Sequence, residues 1–131
     1  DNHYIAYRLY ESGTLETASV YQQARQYGIA NGTFGESRST GVDEVTVSHA
    51  TGANDQETAN CYIYFYDLGD STKYSFSTSH SSGMQDTGLF NFEFASAVLP
   101  QTSQVDGIRI LTDQGSNMQH AEVSLYGIRY S

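Results

Sequence analysis

The sequence is short of several residue types, and each shortage argues against a class of protein. A single cysteine, Cys61, leaves no partner for an internal disulfide. Only six basic residues oppose fifteen acidic ones, and the net charge of −9 offers no basic face for nucleic acid phosphates or anionic lipids. No apolar run approaches the roughly 18 residues of a transmembrane helix, and no secretory signal pattern is visible. We therefore expect neither nucleic acid nor membrane among the partners.

The residue types that are abundant favour strands and turns. The chain has eleven tyrosines, six phenylalanines and twelve glycines, but one proline and no tryptophan. Tyr, Phe, Thr and Val favour strands, and Gly marks turns. With 131 residues the chain fits one domain and can bury a core without disulfides. We expect residues 1–131 to form a single all-β domain.

Alternation of apolar and polar residues predicts where the strands lie. The predicted strands cover residues 3–11, 42–49, 60–67, 73–78, 88–95, 105–111 and 121–129. The last two, with a polar turn at 112–117 between them, predict an antiparallel hairpin. Because each strand has one more apolar side, the pattern predicts an antiparallel β-sandwich of jelly-roll type with about seven to eight strands. Residues 31–41, rich in Gly, Ser and Thr, are predicted to be a loop.

Residues 15–30 support two interpretations. Apolar side chains at positions 15, 18, 21, 24 and 27 recur at helical spacing, and Gly28 would end a short helix. The other interpretation is an extended strand or an ordered loop. The spacing alone leaves both open.

Two of the predicted strands have clearly different sides. In the strand at 60–67, Tyr62, Tyr64 and Tyr66 share one side, and Cys61 belongs to the other. In the strand at 88–95, phenylalanines occupy the even positions 90, 92 and 94, opposite a side that includes Glu93. We expect the phenylalanine side to enter the core and Glu93 to face solvent. Cys61 is predicted to be a small buried hydrophobic residue.

No set of nucleophile, base and acid stands out along the sequence. The four histidines, His3, His49, His80 and His120, have none of the spacings typical of metal sites. A hydrolytic triad of Ser82, His80 and Asp86 would lack the Gly-x-Ser-x-Gly turn, and Ser is common throughout the chain. We expect the chain to have no enzymatic activity.

Acidic residues suggest two further kinds of site, and a simpler explanation is favoured for both. Glycoside hydrolysis needs two converging carboxyls, for which Glu93 with Asp67 or Glu122 would be the candidates. We expect each of them to be the solvent-facing member of an alternating strand. Oxygen-rich turns at 67–70 and 113–117 resemble Ca²⁺ loops only loosely, and Asp and Asn in tight turns explain them without an ion. We expect no metal and no cofactor.

Tyr62, Tyr64 and Tyr66 are the candidate binding residues. Three phenol rings on one side of a strand form a flat stripe that suits a protein partner or a sugar ring. The alternative is that the stripe covers the second side of a buried strand or packs beneath residues 14–41. The lack of tryptophan, often used for stacking on sugars, weakens the carbohydrate interpretation.

Several segments, taken in order, resemble one family of small bacteriophage virion domains. The matching segments are residues 2–4 with 8–10, residues 59–66 with 73–76, and residues 105–110 with 115–117 and 125–128. The last set is similar to a family ending in which a strand, a loop with Gly and Asn and a final Leu-Tyr-Gly strand close a jelly roll. Members occur in tail-fibre, baseplate and capsid-associated proteins of tailed bacteriophages.

The resemblance implies a structural role within a virion. The partners would be other copies of the chain and other virion proteins, in a capsid decoration, a tail or a fibre. A domain at a fibre tip would instead bind a host receptor or a host-surface glycan. The family also implies one or two strands upstream of residue 1, and without them a sheet edge would pair with a neighbouring subunit or an upstream segment.

Overall fold

The computed structural model describes residues 2–113, 118 and 120–128. Within these residues the chain forms nine strands: β1 (Ile5–Glu11), β2 (Thr14–Leu15), β3 (Tyr21–Ile29), β4 (Phe34–Val42), β5 (Val45–Thr46), β6 (Ala59–Tyr66), β7 (Ser75–Met84), β8 (Phe90–Leu99) and β9 (Val105–Thr112). No helix in these residues is long and apolar enough to cross a membrane.

The strands form two antiparallel sheets. The larger sheet has five strands in the order β4-β3-β8-β7-β6. The smaller sheet has β1 at its centre, and β9 pairs with β1 along its whole length, from Ile5 opposite Thr112 to Glu11 opposite Val105. Since β9 occupies one edge of β1, the short strands β2 and β5 both lie along the other edge. The predicted all-β antiparallel fold is confirmed, and the two sheets form a β-sandwich.

The core lies between the two sheets. Tyr7 and Leu9 of β1 are buried against Tyr21 of β3 and Leu99 of β8. The phenol of Tyr7 hydrogen-bonds the Ser77 hydroxyl at 2.7 Å, and the Leu9 amide donates to the phenol oxygen of Tyr21 at 2.9 Å. These bonds satisfy polar groups that would otherwise be costly to bury. The large rings of one sheet therefore connect it to the other.

Residues 15–30 contain strands and no helix, so the helical interpretation is wrong. The side chains of β3 that face the other sheet include Gln23 and Arg25. Because these two residues are polar, the alternation of the strand does not show as a hydrophobic pattern. These polar residues find partners inside the sandwich: the Thr46 amide donates to the side-chain oxygen of Gln23 at 3.0 Å. The loop predicted at 31–41 is also wrong, because β4 occupies most of it and pairs with β3.

The predicted hairpin at the end of the sequence is wrong in its second half. The strand predicted at 105–111 is confirmed as β9. Residues 121–128 belong to no strand and are exposed throughout, while residue 129 and positions 114–117 of the predicted turn lie outside the described residues. Of the strand predicted at 42–49, Val42 is the last residue of β4, and Val45–Thr46 forms the short strand β5.

The predicted sides of β8 are reversed. Asn91, Glu93, Ala95, Ala97 and Leu99 face the core, and the phenylalanines face outward. Continuing the pattern beyond residue 95 explains this reversal, because the odd positions become Ala, Ala and Leu. The prediction for Cys61 is also wrong, because this residue is exposed. It alternates with partly buried Ile63 and Phe65, on the inner side of the edge strand β6.

Candidate binding surface

The outward side of the five-stranded sheet carries a large set of exposed aromatic rings. We call this surface the outer aromatic face. It comprises seven rings that are 43–77% exposed, namely Phe34, Tyr62, Tyr64, Tyr66, Phe76, Phe90 and Phe94. Soluble proteins seldom leave contiguous apolar patches of this kind uncovered, and where they occur they mark contact sites. The face is therefore the leading candidate for a functional surface.

The three tyrosines predicted to share one side of a strand do so on β6. They lie opposite residues of β7, with Tyr62 facing His80 and Tyr64 facing Thr78. The rings of Tyr62 and Tyr64 meet edge to face at 5.7 Å. The Tyr62 phenol also contacts Nδ1 of His80 at 3.3 Å. The predicted stripe exists as a geometric feature, and its binding role remains a prediction.

Aromatic contacts continue from this stripe across the sheet. His80 stacks on Phe94 with ring centroids 4.2 Å apart and planes 9° from parallel. Phe94 contacts Phe92 edge to face at 5.8 Å, and Phe92 meets Phe34 of β4 at 6.4 Å. Such pairs hold each ring in place, so the surface is presented in a defined shape.

A trough of small side chains crosses the middle of the outer aromatic face. Thr78, Ser96 and Ala24 lie side by side on β7, β8 and β3, with Tyr64 at one end and Arg38 at the other. Two shallow depressions of about 430 and 660 Å³ lie along it. Aromatic rings, hydroxyl groups and a guanidinium at one end give the trough the shape and polarity to bind an extended, partly polar chain.

The outer aromatic face carries little charge. Glu36 and Arg38, both on β4, are the charged residues on the outward side of the five-stranded sheet, and they form an ion pair with each other. The chain as a whole has fifteen acidic residues and a net charge of −9. Charged residues are typically depleted at the centre of protein interfaces, and the rim of an interface is polar. This distribution is the one expected of a protein contact surface.

The phenylalanines of this surface were missed by sequence reasoning. Phe90 and Phe94 were assigned to the core, and Phe34 to a loop. A detectable signal existed in β8, because residues 95, 97 and 99 continue the side that begins with Asn91. Their small apolar character identifies the buried side once the strand is followed beyond Ala95.

A buried ionisable cluster lies on the inner side of β8. Glu93 is 0% exposed, so the prediction that it faces solvent is wrong. Arg25 of β3 places its Nη1 atom 3.3 Å from each carboxylate oxygen of Glu93, and His49 Nδ1 lies 4.0 Å away. His49 stacks on Tyr27 at 4.1 Å. Polar residues therefore occupy this part of the interior, where Arg25 donates hydrogen bonds to the Glu93 carboxyl.

Burial shifts the pKa values of Glu93 and His49 in opposite directions. Desolvation raises the pKa of Glu93 to about 7, although the neighbouring Arg25 opposes the shift. Desolvation lowers the pKa of His49, and the positive charge of Arg25 lowers it further. Both shifts disfavour a charge in the interior, so they favour a neutral His49 and, below about pH 7, a neutral Glu93.

The other acidic candidates lie in separate settings. Asp67, in the connection after β6, contacts the ammonium of Lys73 at 3.3 Å, and Asp70 contacts the same ammonium at 3.4 Å. Glu122 lies in the exposed 121–128 stretch, far along the chain from the buried Glu93. Thus Lys73 pairs with the two aspartates of the 67–70 turn. Asp113 accepts a hydrogen bond from the Tyr4 amide at 2.8 Å.

The histidines are dispersed among different partners. His80 contacts Tyr62 and Phe94, whereas Asp86 accepts a hydrogen bond from the Asn2 side chain at 2.7 Å. His3 lies 3.5 Å from Asp113. Over residues 2–113, 118 and 120–128, no group of three or more His, Cys, Asp or Glu side chains is arranged to hold a metal ion.

Comparisons with known proteins gave no match. No family model matches the chain, and neither a curated protein nor a solved structure was found to be similar to it.

Proposed function

We propose that the chain is a non-enzymatic structural subunit of a bacteriophage virion, in a capsid decoration, a tail or a fibre. It works by binding copies of itself and other virion proteins. The outer aromatic face is the single observation that supports a role in assembly. Its exposed Tyr and Phe rings are the residue types enriched in protein interfaces. The choice of a virion rests on the resemblance of the sequence segments to phage domains.

The physical properties of the face suit repeated subunit contacts. Stacking between His80 and Phe94 and the edge contacts of Phe92 restrict the rings before any partner arrives. Binding then costs less side-chain entropy than it would with mobile residues. Many copies in one particle make even weak contacts effective through avidity. A rigid, nearly uncharged aromatic surface is therefore more typical of a structural subunit than of a protein that binds its partner transiently.

A double substitution on the face tests the proposed assembly role. Tyr64→Ser with Phe94→Ser removes two rings from its centre, and we expect self-association to weaken by about tenfold or more. Sedimentation velocity of the full chain over a range of concentrations measures this, and far-UV circular dichroism verifies folding. Tyr126→Ser is the matched control, since Tyr126 is 84% exposed but lies outside the face.

Two results would contradict the assembly role. The first is that the wild-type chain and the double variant have the same mass in solution at every concentration. The second is an equal loss of association for Tyr126→Ser, which would show that no specific surface is involved.

Glycan binding at a fibre tip is a second candidate function, favoured by the trough across the face. Thr78 and Ser96 supply hydroxyls at its floor, and Tyr66 and Phe76 line the larger depression. A sugar chain lying across the strands would stack on these rings and bond to the hydroxyls. Glycan-array binding that is lost on Tyr64→Ala would support this function. Retention of binding in that variant would exclude the trough as the sugar site.

A further inference from the structure

One row of neighbouring residues on the inner side of the five-stranded sheet is polar. Ser81 of β7 lies directly opposite Glu93 of β8, and Cys61 of β6 lies opposite Ser81 on its other side. Ser81 is 2% exposed and Glu93 is 0% exposed. Because side chains alternate along a strand, these residues belong to the side that faces the smaller sheet. The interior of the sandwich therefore holds a hydroxyl and a carboxyl as neighbours.

Two polar groups in this part of the interior have no hydrogen-bond partner among the residues that the structure describes. They are the hydroxyl of Ser81 and the Nε–H group of Arg25, and both are buried. Buried polar groups in folded proteins are nearly always hydrogen-bonded to protein atoms or to ordered water. Leaving either group unpaired would cost stability, because the group has lost its hydration without gaining a partner. Both groups therefore require an acceptor.

The carboxyl of Glu93 has acceptor capacity to spare. Within the described part of the chain its hydrogen-bond donor is Nη1 of Arg25, which lies 3.3 Å from each carboxyl oxygen. Charge-assisted bonds of this kind are typically about 2.7–2.9 Å long, so the contact is a weak one. Nδ1 of His49, at 4.0 Å, is beyond hydrogen-bond distance. A carboxylate accepts up to about four hydrogen bonds, so most of its capacity is unused.

Small side chains and an open edge give water space and a route to Glu93. Ser79 and Ala95 form the next row on the inner side of β7 and β8. Packed sheets lie about 10 Å apart, and serine and alanine side chains span only a fraction of that distance. The row that contains Glu93 ends at the edge strand with Cys61, which is exposed. These features favour entry of water from the β6 edge.

We propose that ordered water occupies the interior beside Glu93, where it bridges the Ser81 hydroxyl to the Glu93 carboxyl and accepts a hydrogen bond from Nε of Arg25. Water suits this site because it both donates and accepts, and because several polar partners surround it, as buried water requires. Ions suit it less well, since a guanidinium and a carboxyl face the same space. This inference goes beyond the proposed function, because it concerns the interior and holds whatever the outer aromatic face binds.

A matched pair of serine substitutions tests the bridge. Ser81→Ala removes the hydroxyl beside Glu93, and we expect the urea midpoint to fall by about 0.3 M or more, because the water loses one of its partners. Ser75→Ala removes a hydroxyl that is equally buried and also lacks a partner among the described residues, but that lies opposite Leu99. Its midpoint is expected to stay unchanged or to rise. An unchanged or higher midpoint for Ser81→Ala would overturn the proposal.

Titration of the Glu93 carboxyl carbon by ¹³C NMR adds a readout that a general loss of stability does not move. Water that donates to the carboxylate favours its charged form and lowers its pKa. Ser81→Ala is therefore expected to raise the titration midpoint by about half a pH unit or more, whereas Ser75→Ala leaves it unchanged. Arg25 and His49, which also face the carboxyl, are present in both variants. Equal midpoints in the wild type and Ser81→Ala would contradict the bridge.

A high-resolution crystal structure of the full chain locates the water directly. We expect a water molecule within about 3.2 Å of both the Ser81 hydroxyl and a carboxyl oxygen of Glu93. A dry interior at this position would overturn the proposal, as would a Ser81 hydroxyl that bonds a protein atom instead.

Discussion

Glu93 shows how a single polar residue can occupy the interior. Its carboxyl is fully buried, and Arg25 at 3.3 Å supplies the compensating charge. Phe92 and Phe94 make the opposite side of the strand look like the core, and only the small apolar residues that follow on the side of Glu93 indicate its burial. The position of a polar residue inside depends on partners from distant strands, and local alternation carries no information about those partners.

The raised pKa of Glu93 predicts a component of stability that weakens as pH rises. The pKa is about 7 in the folded chain against an ordinary value of 4.5, so between these values the folded state binds a proton that the unfolded state has lost. The contribution is fully present below about pH 4.5 and disappears as pH rises through about 7. The expected slope is on the order of 1 kcal/mol per pH unit.

The comparison with Glu93→Gln isolates this contribution. Urea unfolding at several pH values is expected to show that the difference in stability between wild type and Glu93→Gln changes steadily between about pH 5 and pH 7. The lowered pKa of His49 acts in the opposite direction, since it removes stability as pH falls, and it is largely common to both proteins. A difference that stays constant with pH would contradict the raised pKa of Glu93.

At the scale of single elements, the turn between β1 and β2 requires backbone angles that few residues adopt. Ser12 and Gly13 form a two-residue connection, with Glu11 opposite Thr14, and both have positive φ angles of 50° and 80°. Two positive φ angles match the type I′ turn that tight hairpins prefer. Gly adopts this conformation without strain, whereas other residues pay a steric cost.

Gly13→Ala is expected to destabilise the fold through the backbone alone. A Cβ at this position meets no atom within 4 Å, so its cost of about 1 kcal/mol arises from the left-handed conformation. Gly69→Ala is the matched control, since its Cβ also meets nothing and its φ lies outside the left-handed region. Urea unfolding measures both. Equal effects at the two glycines would show that the turn conformation is not the cause.

The sequence predicts some elements well and others poorly, for reasons that differ between strands. Strands β6 and β9 combine strong alternation with β-branched or aromatic residues, and both were located to within about two residues. Strand β3 was left open between a helix and an extended strand or loop, and β4 was predicted to be a loop, because their residues are mostly Gln, Arg, Ser and Gly. The inward Gln23 of β3 accepts a hydrogen bond from Thr46 of the other sheet, and hydrophobic periodicity does not reveal such a contact.

The candidate surface was predicted only in part. The tyrosine stripe on β6 follows from alternation within one strand. The wider outer aromatic face requires the register that places Phe94 beside His80 and His80 beside Tyr62, which joins strands distant in sequence. Residues 121–128 show the converse case, because their alternation predicts a strand, whereas they belong to no strand among the residues that the structure describes.

At the scale of the whole molecule, the outer aromatic face lies on the larger of the two sheets. A chain that associates through this face alone forms a closed dimer if the contact is isologous, and it extends into larger assemblies if the contact is heterologous.

The net charge predicts how such assemblies respond to salt. At −9, each copy repels every other copy over a distance comparable to the Debye length. The outer aromatic face has a single internal ion pair, Glu36 with Arg38, and its attraction to a partner is apolar. Salt therefore screens the repulsion and leaves the attraction intact.

The association constant is expected to rise several-fold between about 50 and about 500 mM NaCl. Sedimentation velocity at the two salt concentrations measures the change. Dissociation on adding salt would indicate that charge pairs across the interface hold the copies together, and would contradict an aromatic contact.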